Sequence, residues 1–353
     1  MSENKKVRFH LPGLSFNYPI NMILIDLMEK RPEYFRENIE IGSFFGEFPT
    51  SLWNGGRFAF GCQCSAEMVK NVVKHINSRG IPVRYTFTNP IIYESDLADP
   101  YCNMCMQVGD NGMNEVMIFN PLLEEYIRKT YPSYKINSST CKEIKDIDAL
   151  NEELRKDYYL VVLDQNLNKD FDFLEKIEDK DRIEILCNTS CGPNCPRRAE
   201  HYVTISAQQR VVFANRDIRA GKNPQAVFKD LPGYVKERLP GDAKKGIFPK
   251  DKTGASVIPL PEYKCAIGGY DNPFKIRDNI NYVRSDAIWE KYVPMGFTNF
   301  KLEGRTDNAF FVVDNYVEYL CRPEMKDEAR YTLFIQLKQN GILHQNRTWW
   351  QGR

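Results

Sequence analysis

Eight short β-type runs, each followed by a helix-type pattern, constrain this 353-residue chain more than any other feature. The first run, 7–11, leads into an amphipathic stretch with Ile23, Leu24, Leu27 and Met28 on one side. A second run lies at 38–42. Ser65 then has the chemistry of a helix N-cap, and Met68, Val69, Val72, Val73 and Ile76 form an apolar stripe that ends at Arg79-Gly80. Further strands are predicted at 82–88, 115–119, 134–137, 159–163, 182–186 and 298–302, with the clearest helices at 121–131 and 147–154. The last strand precedes a helical region containing Phe310, Val313, Val317 and Leu320.

Regular β-α alternation argues for parallel strands covered by helices. Eight such units predict an α/β fold, a (β/α)8 TIM-type barrel with its chemistry at the C-terminal strand ends. An open doubly wound sheet is the alternative. The seventh and eighth strands are separated by a long insertion, 188–298, in which 257–258 and 263–267 are candidate added strands. The expected organisation is barrel strands 1–7 over 1–187, a cysteine loop and insertion over 188–298, and the last strand with C-terminal helices over 299–353.

Residues are 42% hydrophobic and 27% charged, and no apolar run approaches the roughly 18–20 residues of a membrane span. The polar start, Met1 to Val7, lacks the apolar core of a signal peptide. A cytoplasmic location without membrane contact is expected, where thiols stay reduced. Ten cysteines in that setting favour metal or redox chemistry over disulfides. A net charge of +1 makes no global case for nucleic acid, although 216–252 carries ten Lys/Arg against five Asp/Glu. That segment reads either as a phosphate contact or as a solvated basic loop.

Cys187, Cys191 and Cys195 stand at four-residue spacing behind the seventh strand, with Gly192 and Pro193 to bend the backbone. Thiolates suit zinc and iron–sulfur clusters alike. Cys62, Cys64, Cys102, Cys105 and Cys141 also follow strands, so all are expected toward the C-terminal face, whereas Cys321 reads as a buried helix residue. Cys102-x-x-Cys105 is the only zinc-type hook. The triplet misses the spacing of radical S-adenosylmethionine enzymes by one residue. A 4Fe-4S cluster needs a fourth ligand, for which Cys265 is the first choice and Cys62, Cys64 and Cys141 compete.

Along Phe300-Lys-Leu-Glu-Gly-Arg-Thr306, alternation puts Lys301, Glu303 and Arg305 on one side. They could bind an anionic co-substrate, with Arg305 as a planar fork, or pair with one another. His201 reads as an acid/base group, a ligand or a surface residue. His10 is expected near the site, and His75 and His344 at the surface. Trp349-Trp350 and the basic segment would support a third reading, a non-catalytic RNA- or partner-binding protein in which a cluster is only a structural staple. Neither a phosphate-cradling glycine loop nor a His-Glu-x-x-His motif is present.

The 300–306 segment resembles the Lys-Ile-Glu-Gly-Arg stretch of the collagenase-like peptidase family, U32. Val161-Val-Leu-Asp164 followed by 182–195 is similar to that family's strand and its cysteine-ended successor. The resemblance spans about 80–320. It implies a four-iron cluster with Cys187, Cys191 and Cys195 among its ligands, and a site lined by Lys301, Glu303 and Arg305. It further implies chemistry such as oxygen-independent hydroxylation of RNA bases or quinone precursors. The runner-up is a metal-dependent peptidase with zinc in the cysteine site.

Overall fold

The computed structural model describes residues 6–265, 275–305 and 307–343. Its eight parallel strands close into a barrel in chain order: β1 Val7–Pro12, β2 Ile39–Gly46, β3 Val83–Phe87, β4 Glu115–Ile118, β5 Lys135–Ser138, β6 Leu160–Val162, β7 Ile183–Leu186 and β8 Asn299–Lys301. Closure is made by β8 against β1, with Phe9 opposite Phe300 and His10 opposite Lys301. The fold is therefore the (β/α)8 barrel that the alternation predicts. Each predicted run lies on an observed strand. The largest shift is in β2, which runs on to Gly46 because Phe44 to Gly46 pair with Val83 to Tyr85.

Local chemistry explains the helices. The Ser65 hydroxyl accepts from the Met68 amide and starts Ala66–Ser78, which buries Val69, Val72, Val73 and Ile76. Gly80, at φ +73°, supplies the left-handed residue just past its end. The helix after β8, Ala309–Leu320, buries Val313, Val317 and Leu320 but leaves Phe310 exposed.

Period-two alternation sorts side chains between two layers. Phe9, Ile183, Ile185, Phe300 and Leu302 join the apolar layer between strands and helices. His10, Arg84, Glu184, Asn299 and Lys301 form the other set, a polar network inside the barrel. Arg84 is its hub. Its Nε lies 2.6 Å from Glu115, Nη1 meets Glu184, and Nη2 is 2.9 Å from His10 Nδ1. Lys301 Nζ reaches the other Glu184 oxygen at 3.2 Å. Asn137 donates to Glu115 at 3.0 Å, and Asn299 Oδ1 lies 3.2 Å from His10 Nε2. Gly42 makes room for this layer, since a Cβ there would sit 2.6 Å from His10 Cε1.

Between β7 and β8 runs the 22-residue helix Arg198–Arg219, which with Pro224–Asp230 and Gly233–Lys236 encloses a second small apolar core around Val211, Val235, Leu239 and Ile258. Among the described residues, the added strands expected at 257–258 and 263–265 do not form. Among the described residues of the insertion a single antiparallel bridge, Lys250 to Ser256, is present, and Ile258 packs into the small core instead. Tyr263 to Cys265 are not strand, and 266–267, His344 and Trp349-Trp350 lie outside the described residues. In the basic segment, Arg216 donates to the Gly61 carbonyl, while Lys222 and Lys245 pair with Asp217 and Asp242. No helix among the described residues is long and apolar enough to cross a membrane.

Truncating the hub of a buried ion network strands its partners without water or counter-charge. Arg84→Leu is expected to lower folding stability by about 3–5 kcal/mol in urea unfolding, because Glu115 loses its cation and Glu184 keeps only Lys301. An unchanged midpoint would show that the network contributes nothing to stability.

Candidate functional site

A cavity of about 540 Å³ opens at the C-terminal mouth of the barrel. Its apolar part is Phe45, Met117, Val162 and Leu186, from the ends of four strands. The helix Arg198–Arg219 contributes Arg198, His201, Tyr202 and Ile205 to the wall. Four cysteines face this one space: Cys141 behind β5, Cys191 and Cys195 behind β7, and Cys265 near the end of the insertion's first described part.

Cys187 is not among them. It continues the outward set of Ile183 and Ile185 into the apolar layer, fully buried, and burial pushes its thiol well above the usual range. Strand alternation turns residue 187 away from the barrel mouth, so of the expected triplet Cys191 and Cys195 stand on the cavity wall. Cys141, named as a competitor, stands on the wall instead. Cys102 and Cys105 lie in the helix Pro100–Val108, inside the main core, with Cys102 Sγ 3.2 Å from Ser51 Oγ. Cys64 is also buried there, Cys62 is exposed and outside the cavity wall, and Cys321 is buried at the end of Ala309–Leu320. Among the described residues no three His, Cys, Asp or Glu side chains are gathered closely enough to hold a metal ion.

The cysteine loop is held by amides and one carboxylate. Asn194 turns it at φ +48°, a left-handed conformation that asparagine tolerates better than most residues. Its amide donates to Asn166 Oδ1 at 2.8 Å, and Asn279 Nδ2 donates to the Cys191 carbonyl at 2.9 Å. Glu303 accepts from the Ser190 amide at 2.7 Å and from its hydroxyl at 2.9 Å. Burial raises the Glu303 pKa, which those two bonds oppose. Glu303 therefore ties β8 to the cysteine loop.

All three members of the charged trio line the cavity, and Lys301 and Arg305 are each matched by a carboxylate. Arg305 Nη1 lies 3.1 Å from Glu47, and Lys301 pairs with Glu184 while resting 4.3 Å above the Phe45 ring. Burial pulls the Lys301 pKa down to about 8, helped by Arg84 and Arg305 and opposed by Glu184. His10 sits inside the barrel and is absent from the cavity wall; burial and Arg84 lower it to about 3, so it is neutral near pH 7. His75 is exposed apart from its contact with Tyr18.

His201 does reach the site, as part of a stacked column. Its ring lies 4.3 Å from Tyr263 at an interplanar angle of 9°, and it also stacks on Tyr202. Arg197 covers Tyr263 at 4.9 Å, and Arg57 covers Tyr202 at 4.7 Å. Burial lowers the His201 pKa, and Arg57 lowers it further. The column fastens the segment carrying Cys265 to the long helix, with Gln208 donating to the Pro261 carbonyl at 2.7 Å. Arg57, Arg198, Tyr202 and Gln165 were not expected in the site. Arg198 lies beside the cysteine loop in sequence, but no local pattern marks Arg57.

The lysine shift has a direct consequence. Acetylation of Lys301 by acetic anhydride, followed peptide by peptide, should rise through a midpoint near pH 8 rather than 10.5. The unfolded chain keeps this proton up to about 10.5, so between the two values Lys301 makes folding stability rise with pH. A midpoint like that of surface lysines would refute the shift.

The chain matches no family model. Among curated proteins it is similar to "Uncharacterized protease MJ1657" of Methanocaldococcus jannaschii, 27% identical over 101 residues. That match covers 27% of this chain and only 29% of the relative's length. Among solved structures it is similar to the U32 peptidase Mk0906, at 12% identity and a TM-score of 0.40, covering 86% of this chain and 95% of that one.

Proposed function

We propose that the chain is an enzyme whose reaction takes place in the cavity at the C-terminal barrel mouth, beside a cysteine-held iron–sulfur centre. The observation that carries this reading is the convergence of four thiols, from three separate segments, on one cavity that also holds a buried lysine. An all-thiol donor set suits a 4Fe-4S cluster, with zinc as the alternative metal. Cys141, Cys191, Cys195 and Cys265 would hold it. The thiols stand apart in the structure, and ligation would draw them together as they lose their protons. When bound, such a cluster supplies a redox or Lewis-acid centre.

The chain's own residues shape what happens around it. Lys301 Nζ can hold or release a proton near neutral pH, and Glu184 fixes its position. Glu303 sets the height of the cysteine loop above β8. The helix Arg198–Arg219 covers one side and limits the entry of water. The cavity falls in the size range of small-molecule sites. Hydroxylation without oxygen is the reaction the resemblance implies, and an RNA substrate would have to offer a single flipped base. A second reading, a zinc-dependent peptidase, is favoured by the printed name of the curated relative.

Anaerobic purification with iron and sulfide analysis and an absorption spectrum separates the two. A brown protein with about four irons is expected, and a colourless one with stoichiometric zinc would instead support the hydrolase. Cys191→Ser should bleach the brown form, whereas Cys187→Ser should keep the spectrum and lose only stability. Bleaching by Cys187→Ser would overturn the assignment of Cys141, Cys191, Cys195 and Cys265 as the ligands.

A further inference from the structure

The cations on the cavity wall are unequal. Lys301 is matched by Glu184, Arg305 by Glu47, and Arg198 by Asp164 at 2.6 Å. Arg57 differs. Among the described residues no carboxylate stands within ion-pair distance of it; its acceptors are the carbonyls of Asn54 at 3.2 Å and Thr88 at 3.5 Å, and Cys141 Sγ at 3.4 Å. A guanidinium has five N–H donors, so these contacts leave part of the fork unused. The Tyr202 face, 4.7 Å from its central carbon, fixes the plane in which the fork can act.

A second observation lies beside it. Thr88, on the same wall, is 3% exposed, and its buried hydroxyl oxygen has no hydrogen-bond partner. A buried hydroxyl without a partner is costly, and a ligand atom is one way to satisfy it. The cavity's strand-end lining is apolar, formed by Phe45, Met117, Val162 and Leu186. A fork without a counter-charge, an orphaned hydroxyl and an apolar lining together describe a ligand with one negative end and a non-polar body.

We propose that Arg57 is the carboxylate anchor of this cavity, with Thr88 as its second contact, and that the ligand is a small organic acid with an apolar body. The assignment rests on the reading of this cavity as the reaction site. It assigns the anionic group to Arg57 and Thr88, which follow β2 and β3, rather than to Lys301 and Arg305, whose charges the protein already neutralises. The guanidinium would donate two hydrogen bonds to a carboxylate, which a neutral amide of the same shape cannot accept in the same way.

Benzoate and its neutral counterpart benzamide test this, by anaerobic titration calorimetry on the purified chain. Benzoate should bind at least about tenfold more tightly than benzamide. Arg57→Gln should erase that preference, and Arg57→Lys should keep part of it. Thr88→Val, which leaves the guanidinium in place, should weaken benzoate severalfold and keeps the test open if Arg57→Gln does not fold. Equal binding of the two probes by the parent chain, or an undiminished preference in Arg57→Gln, overturns the proposal. Iron and sulfide are measured on the same samples. A metal-free chain that still prefers benzoate supports the anchor while sinking the iron–sulfur reading.

Discussion

Arg84 is the interaction on which the barrel's interior turns. One guanidinium from β3 bridges carboxylates from β4 and β7 and touches the imidazole of β1, while the β7 carboxylate in turn holds the β8 lysine. Five of the eight strands are thus joined through charge in a region that most barrels fill with branched apolar side chains. The arrangement is expensive to assemble, because each group leaves water. It is tolerable only because the charges compensate one another at hydrogen-bond distance. It also decides where functional charge can appear: Lys301 tops the network, and its amine is the one member of it that faces the cavity.

The site above that network is organised by ties that are not themselves reactive. Glu303 reaches from β8 to Ser190, and Asn166, Asn194 and Asn279 hold the loop that carries Cys191 and Cys195. On the far side a column of Arg57, Tyr202, His201, Tyr263 and Arg197 fastens the Cys265 segment to the long helix. Residues that looked reactive in isolation are therefore divided. Glu303 and His201 hold neighbouring segments in place, and Lys301 stands on the cavity wall.

Local patterns carried the architecture well. The eight strands, the Ser65 cap and the Gly80 stop depend on periodicity and on backbone preferences that neighbouring residues report directly. The split of Lys301 from Phe300 and Leu302 followed from period two, and β8 obeys it. The same rule, applied to β7, places Cys187 with Ile183 and Ile185; counting cysteines by spacing alone hid that. Within the insertion, short apolar runs at 257–258 and 263–267 gave no way to tell strand from loop, because packing against the long helix decides the state of Ile258.

By itself, then, the sequence determined the β-α alternation, the barrel class, the inward face of β8 and a cysteine-rich loop behind β7, since all of these are written within a few residues of one another. Only the tertiary structure decided which thiols share a cavity, that Glu47 and Glu184 neutralise Arg305 and Lys301, and that Arg57 has no carboxylate within ion-pair distance among the described residues. The two ion pairs join residues more than a hundred positions apart. Charge balance across such distances is set by closure of the barrel and has no local signature.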